Sequence, residues 1–347
     1  MKISMPLSYA GGFEASARQV VELEHAGLDL VWVAEAYGFD GVSFMGYLAA
    51  KTERVHIGSG ILPLYSRTPA LLAMTAAGID ALSNGRAVLG LGASGPQVIE
   101  GWHGVPYDKP LARTREIVDI CRKVWKREEP LTNAGPLYPI PLPEGEGTGL
   151  GKPLKIIGRP VRDRIPIYVA SLGEKNVALT AEIADGWLPV FYVPEKANDV
   201  FGPSLDAGRA KRSADLAPLD ICAGGLVCIT DDKAQAEATR DLGRAMAALY
   251  IGGMGAKGQN FYNALARRYG YEQEAEEIQD LYLAGHKQDA AAKVPSELLE
   301  LTSLCGDEGF VKDRIAAHKE AGVTVLQVTP FGERPAEIIE KLKAWSE

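Results

Sequence analysis

The chain is poor in several residue types that would point to particular chemistries. Its four cysteines, Cys121, Cys222, Cys228 and Cys305, contain no C-x-x-C pair. Reduced, buried thiols are therefore expected, as in a cytoplasmic protein. Five histidines, His25, His56, His103, His286 and His318, show no metal-ligand spacing, so no metal is expected. No Ser-His-Asp set sits in a nucleophile-elbow context. No apolar run approaches the roughly 20 residues of a membrane span. The opening MKISMPLSYAGG is too short in apolar length for a signal peptide. Excess positive charge is missing too. The net charge of −8 argues against nucleic acid or an anionic membrane as the main partner. A small anionic ligand stays open, because a phosphate site needs only a few oriented N–H groups or one cation.

What the chain has is apolar residues and glycine. Of its 347 residues 46% are apolar, enough for a sizeable core, and its 38 glycines mostly flank short apolar runs. That pattern suits many tight strand-to-helix turns. Strand-like segments are expected at 3–7, 28–34, 55–59, 86–91, 166–170, 187–190, 221–229 and 323–329. LDLVWVA is apolar on both faces, as a buried parallel strand should be. Helical periodicity appears at 14–26, 44–52, 69–82, 111–127, 175–184, 233–248, 309–321 and 335–345. The pattern breaks at about 128–165, 190–220 and 252–306, the last mostly helical. We read these breaks as excursions from one domain spanning 1–347. Eight strand candidates alternating with helices favour a (β/α)8 TIM barrel with insertion segments over a doubly wound sheet.

A barrel places its site at the carboxyl ends of its strands. The residues there are Ser8 and Tyr9; Glu35, Ala36 and Tyr37; Gly60 and Ile61; Gly92, Ala93, Ser94 and Gly95; Ser171, Leu172, Gly173, Glu174 and Lys175; and the turn after Val190. Glu35 ends an apolar strand, where a carboxylate costs desolvation unless partnered. It either serves a ligand or pairs with an Arg from a neighbouring loop. Gly90, Gly92 and Gly95 in VLGLGASGP fit G-x-G-x-x-G, the turn that cradles pyrophosphate in dinucleotide-binding domains. Here the preceding strand is about the fourth of eight, and Pro96 follows the third glycine. The segment at 171–175 has better anion-site features, with free N–H groups and a helix dipole, and a plain N-cap by Ser171 is the equal alternative. His103 is the only histidine near a strand-end loop, and packing beside Trp102 competes with an acid or base role. The arginines and lysines at 159–164 and 209–212 read as solvated loop charge.

The runs GLDLVWVAE, TERVHIGSGILPLYSRTPALLAMTAAGIDALSNGRAVLGLGASG, IPIYVASLGEKNVALTAEIADGWLP and KEAGVTVLQVTP resemble the bacterial-luciferase-like oxidoreductases. SGPQVIEGWHG and YIGGMGAKGQNFYNALARRYGYE make the chain most similar to the branch that uses coenzyme F420, a deazaflavin. The resemblance runs nearly end to end. It implies a (β/α)8 barrel with an insertion and a deazaflavin, or alternatively FMN, at the strands' carboxyl ends. A non-prolyl cis peptide is implied at Gly60 and Ile61, behind the ring. Glu35 is implied beside the ring, flanked by Ala93, Ser94 and Gly95. The phosphate is implied at Leu172, Gly173, Glu174 and Lys175, with Ser171 before them. Homodimers are common in the family.

The chain departs from relatives that act on sugar phosphates or methylene pterins. Ser94, Gly95 and Pro96 stand where those relatives carry a carboxylate, and Ala36 stands where some carry His. Their proton relays and substrates therefore do not transfer. The expectation is an F420-dependent oxidoreductase moving a hydride between deazaflavin C5 and a small organic substrate, with Tyr37 and His103 as proton donors. An FMN-dependent monooxygenase and a non-catalytic deazaflavin-binding protein are the alternatives.

Overall fold

The computed structural model describes residues 1–8 and 10–347. Its strands are β1 (Lys2–Leu7), β2 (Leu30–Val33), β3 (His56–Ser59), β4 (Leu62–Pro63), β5 (Ala87–Gly92), β6 (Ile167–Ala170), β7 (Gly186–Leu188), β8 (Asp220–Ile229), β9 (Leu304–Gly306) and β10 (Val325–Pro330). All pairings between them are parallel, in the order β10-β1-β2-β3-β5-β6-β7-β8. β8 then pairs with β10 through Cys222 to Val227, which closes the sheet. Eight strands thus form the barrel, and a doubly wound sheet, with its two free edges, is excluded. β4 lies against the end of β5, and β9 against the end of β8.

The short strands are buried on both faces, as LVWV and AVLGLG require. Successive side chains alternate between two layers. Leu30, Trp32, Val88, Tyr168, Leu188, Cys222 and Val325 fill the barrel interior. Val31, Val33, Leu89 and Leu91 face the helices in the larger outer core.

The run IDALSNGR, part of the family resemblance, builds the amino-terminal end of the barrel, away from the strand ends that form the site. Fully buried Asp80 accepts hydrogen bonds from Ala87 N (3.1 Å) and Arg162 Nη2 (2.5 Å). Arg86 donates to the carbonyls of Val55, Ala49 and Thr52, at 2.6, 3.2 and 2.8 Å. The motif ties β3, β5 and the helix Pro69–Leu82 together.

The segment 128–165 holds no helix or strand, only a bridge between Asn133 and Ile140. Glu116 pins it by accepting from Tyr138 N and Asn133 Nδ2, and Arg162 pins its far end. The stretch 190–220 differs from its irregular reading: it contains the helix Pro194–Arg209. Pro203 inside that helix, with Gly202 and Gly208, masked the periodicity. Gly208 is needed there, since a Cβ would sit 2.1 Å from the Ala178 carbonyl of the neighbouring helix. The expected helix at 233–248 is split into Lys233–Asp241, Arg244–Ala248 and a π turn, Leu249–Gly253. Four helices follow in the insertion, Phe261–Arg268, Glu272–Leu283, Lys287–Ala292 and Ser296–Leu301. Among the described residues, no helix is long and apolar enough to cross a membrane.

Candidate active site

The floor of the barrel mouth is built by glycines that allow strands to approach. Gly58 lies under the Trp32 indole and Gly60 beside the Trp32 Cβ, where added Cβ atoms would come within 2.4 and 2.9 Å. The Gly60–Ile61 peptide is cis, and neither residue is proline. Across from it, a Cβ on Gly90 would sit 1.7 Å from the Ser59 carbonyl, and one on Gly92 3.0 Å from Ile61. Ser59 Oγ bridges the strands, donating to Gly90 O and accepting from Gly90 N, both at 2.8 Å. Gly90 and Gly92 are therefore strand residues of β5 that make room for the bulge after β3. They do not form a pyrophosphate turn.

Glu35 directly follows β2. Its carboxylate is largely buried and pairs bidentately with Arg67, Oε1 to Nη1 at 2.5 Å and Oε2 to Nη2 at 2.8 Å. Gly41 N adds a third bond to Oε2 at 2.8 Å. The pair with an Arg from a neighbouring loop, one of the two readings of Glu35, is thus present. Arg67 was not singled out from sequence, although it lies in the SRTP stretch. The pair fixes the loops after β2 and β4 against each other.

Tyr37 is two-thirds exposed, and its ring lies 6.4 Å from that of Trp102. His103 follows Trp102, and its ring Nε2 is buried without a hydrogen-bond partner among the described residues. The structure thus brings Tyr37 and His103 to one side of the mouth. Ala93 is half-buried and Ser94 exposed, with Ser94 in the left-handed region at φ 56°. Gly95 begins the short helix Pro96–Gly101. Tyr107 Oη donates to Ser94 O at 3.5 Å. Ser8, after β1, is exposed, and Tyr9 lies outside the described residues.

Ser171 does not cap the helix Glu174–Ile183. Its hydroxyl is buried against Thr180 Oγ1 at 2.9 Å, and its carbonyl accepts from Trp187 Nε1 at 2.9 Å. The N-cap is Gly173, which offers no side chain, so the first N–H groups of the helix have no side-chain acceptor. Leu172 is half-buried, and Glu174 and Lys175 are exposed beside Gly173. The Phe261 ring covers Gly173, close enough that a Cβ there would lie 3.0 Å from it.

Two surface clefts lie elsewhere. One of about 230 Å³ lies in the insertion, and its charges are paired, Lys257 with Asp280 and Arg267 with Glu276. One of about 320 Å³ runs between helices and reaches Lys175. At the mouth itself, Ile61 packs over Gly92, and the helix start at Gly173, without a side-chain cap, lies two strands away. Among the described residues no cluster of three His, Cys, Asp or Glu could hold a metal ion.

The sequence profile of the luciferase-like monooxygenases matches residues 2–325. The chain belongs to this family. Among its relatives, a Mycobacterium tuberculosis protein provisionally named a coenzyme F420-dependent oxidoreductase is 46% identical, over 95% of both chains. The 5,10-methylenetetrahydromethanopterin reductase of Archaeoglobus fulgidus is 30% identical, over 92% of this chain and 93% of that one. In fold, the luciferase-like chain is similar to the coenzyme F420-dependent tetrahydromethanopterin reductase of Methanopyrus kandleri. The TM-score is 0.77 and the identity 23%, over 98% of this chain and 96% of that chain. The luciferase-like chain is an oxidoreductase.

Proposed function

We propose that the mouth binds coenzyme F420 and that the protein uses it to reduce or oxidise a small organic substrate. The observation that carries this is Ile61 packed over Gly92 at the strand ends, in a chain 46% identical to a relative named for F420. When bound, the deazaflavin supplies hydride chemistry at its C5 carbon. The protein's own groups do the rest. Ile61 supports one ring face and leaves the other to substrate. Ala93, Ser94 and Gly95 border the ring edge. The N–H groups at Gly173, Glu174 and Lys175, with the Lys175 ammonium, hold a phosphate at a positive helix end. Leu172 and Ser171 shape that turn, Ser171 through its buried bond to Thr180.

Glu35 acts through Arg67. Its bidentate pair holds the guanidinium in place beside the ring and keeps the loop after β2 shut against water. His103 and Tyr37 are the groups placed to give or take a substrate proton. His103 is the better candidate of the two, because its buried Nε2 has no partner among the described residues. FMN is the second reading, favoured by the family's monooxygenase description.

Titrating the purified protein into F420 and, separately, into FMN tests the proposal through quenching of cofactor fluorescence. Saturable quenching of F420, with weaker or no effect on FMN, is expected. Tight FMN binding with no F420 binding contradicts it, and oxygen consumption with reduced FMN then establishes the monooxygenase. Glu35→Gln is expected to weaken F420 binding about tenfold, the scale of one lost charge-assisted bond.

A further inference from the structure

Seven aromatic side chains, from the segments after β2, β4, β5, β7 and β8, ring the mouth. Tyr37 and Trp102 pair on one side. Tyr107 leans toward Ser94, and its ring lies 5.2 Å from that of Tyr65 at a tilt of 32°. Opposite, Phe191 after β7 meets Tyr250 on the π turn at 5.8 Å and Tyr262 of the insertion at 6.4 Å. The Tyr250 and Tyr262 rings lie edge to face at 4.7 Å.

This cluster is held in place from behind. Asn260 Oδ1 accepts from Tyr262 N and Asn263 N, at 2.9 and 3.1 Å, and so starts the helix Phe261–Arg268. Its Nδ2 donates to the carbonyls of Tyr250 and Ile251, at 2.9 and 3.0 Å, on the π turn. One buried side chain therefore sets both tyrosines.

The same loops leave little charge for a second ligand. Arg67 is matched by Glu35, and Arg113 by Asp108 at 2.5 Å. Glu100 accepts from Tyr107 N. Lys109 is exposed at the head of the next helix, and Lys175 is given to the cofactor phosphate. An anionic substrate entering between the rings would lose its hydration without gaining a cation. A flat neutral molecule would bury its faces against the rings and find hydroxyl donors at their rims.

We propose that the substrate site takes an uncharged, flat molecule of the aryl-carbonyl class, held between the Tyr37 and Trp102 pair and the cluster of Phe191, Tyr250 and Tyr262. This rests on the reading of the mouth as a cofactor-loaded site.

Acetophenone and 4-acetylbenzoate, which differ by one carboxylate, test it. Their affinities for F420-loaded protein are read by saturation-transfer NMR and calorimetry, independently of turnover. Acetophenone is expected to bind at least tenfold more tightly. Tyr262→Leu is expected to weaken acetophenone about tenfold, the scale of an aromatic contact, whereas Tyr262→Phe restores it. Both variants should hold F420 within twofold of the parent. If circular dichroism shows that Tyr262→Leu is unfolded, Tyr250→Leu serves instead. Equal or tighter binding of 4-acetylbenzoate overturns the proposal. So does absence of acetophenone binding, or an affinity unmoved by the leucine variant. Failure of F420 to bind overturns only the cofactor reading, because the matched pair is then compared on the free protein.

Discussion

Asp80 is buried completely and gathers Arg162 and Ala87 N around one carboxylate at the end of the barrel remote from the mouth. Breaking such a pair leaves a half-buried guanidinium short of its partner. Asp80→Asn is expected to cost about 3 kcal/mol in urea unfolding while leaving cofactor affinity unchanged. His318 carries a separate prediction. Burial, the largest influence, pulls its imidazole down to about 4 from the ordinary 6.5, against the hydrogen bond of its Nδ1 to the Arg314 carbonyl. The unfolded chain therefore binds this proton more readily than the folded one. The contribution is fully present above pH 6.5 and is lost as pH falls toward 4, by up to about 3 kcal/mol. His318→Gln is expected to flatten that part of the stability profile. Urea midpoints of the two proteins measured from pH 7 to pH 5 check this. A constant difference between them would contradict it.

Elements were legible where one physical signal dominated. The eight barrel strands were readable because short runs such as LVWV must be buried on both faces. The helix Pro194–Arg209 was not, because Pro203 and two packing glycines break its apolar rhythm. The π turn at Leu249–Gly253 is held by Asn260 and Asn263, side chains outside the turn itself. In the candidate site, Glu35 drew attention because it ends a strand, and Gly60 and Ile61 through the family resemblance. Arg67 and the insertion tyrosines were missed, since their importance comes from partners brought together only by folding. Asn260 shows this dependence most directly. Asn260→Ala removes a helix cap and two carbonyl partners together, so a loss of about 2 kcal/mol is expected, read by chemical denaturation.

The whole molecule leaves an apolar strip uncovered. On the helix Pro69–Leu82, Leu71, Met74 and Leu82 are each 45–67% exposed, and Tyr47 lies on the neighbouring helix Gly41–Lys51. We propose that a second copy of the chain covers this strip as a homodimer. Light scattering after size exclusion should report a dimer for the parent and a monomer for the Met74→Glu, Leu82→Glu double variant. A monomeric parent would contradict the assignment. The mouth opens at the strands' carboxyl ends and the helix strip lies on the flank, so the monomeric variant should retain cofactor binding.

The central claim is that β5's glycines shape a seat for a flat ring while the phosphate rests at the start of the helix Glu174–Ile183. A crystal structure with F420 tests it most directly. The account predicts the ring against Gly60 and Ile61, its edge at Ser94 and Gly95, and the phosphate on the N–H groups of Gly173, Glu174 and Lys175. A phosphate seated on Gly90, Gly92 and Gly95 would contradict it.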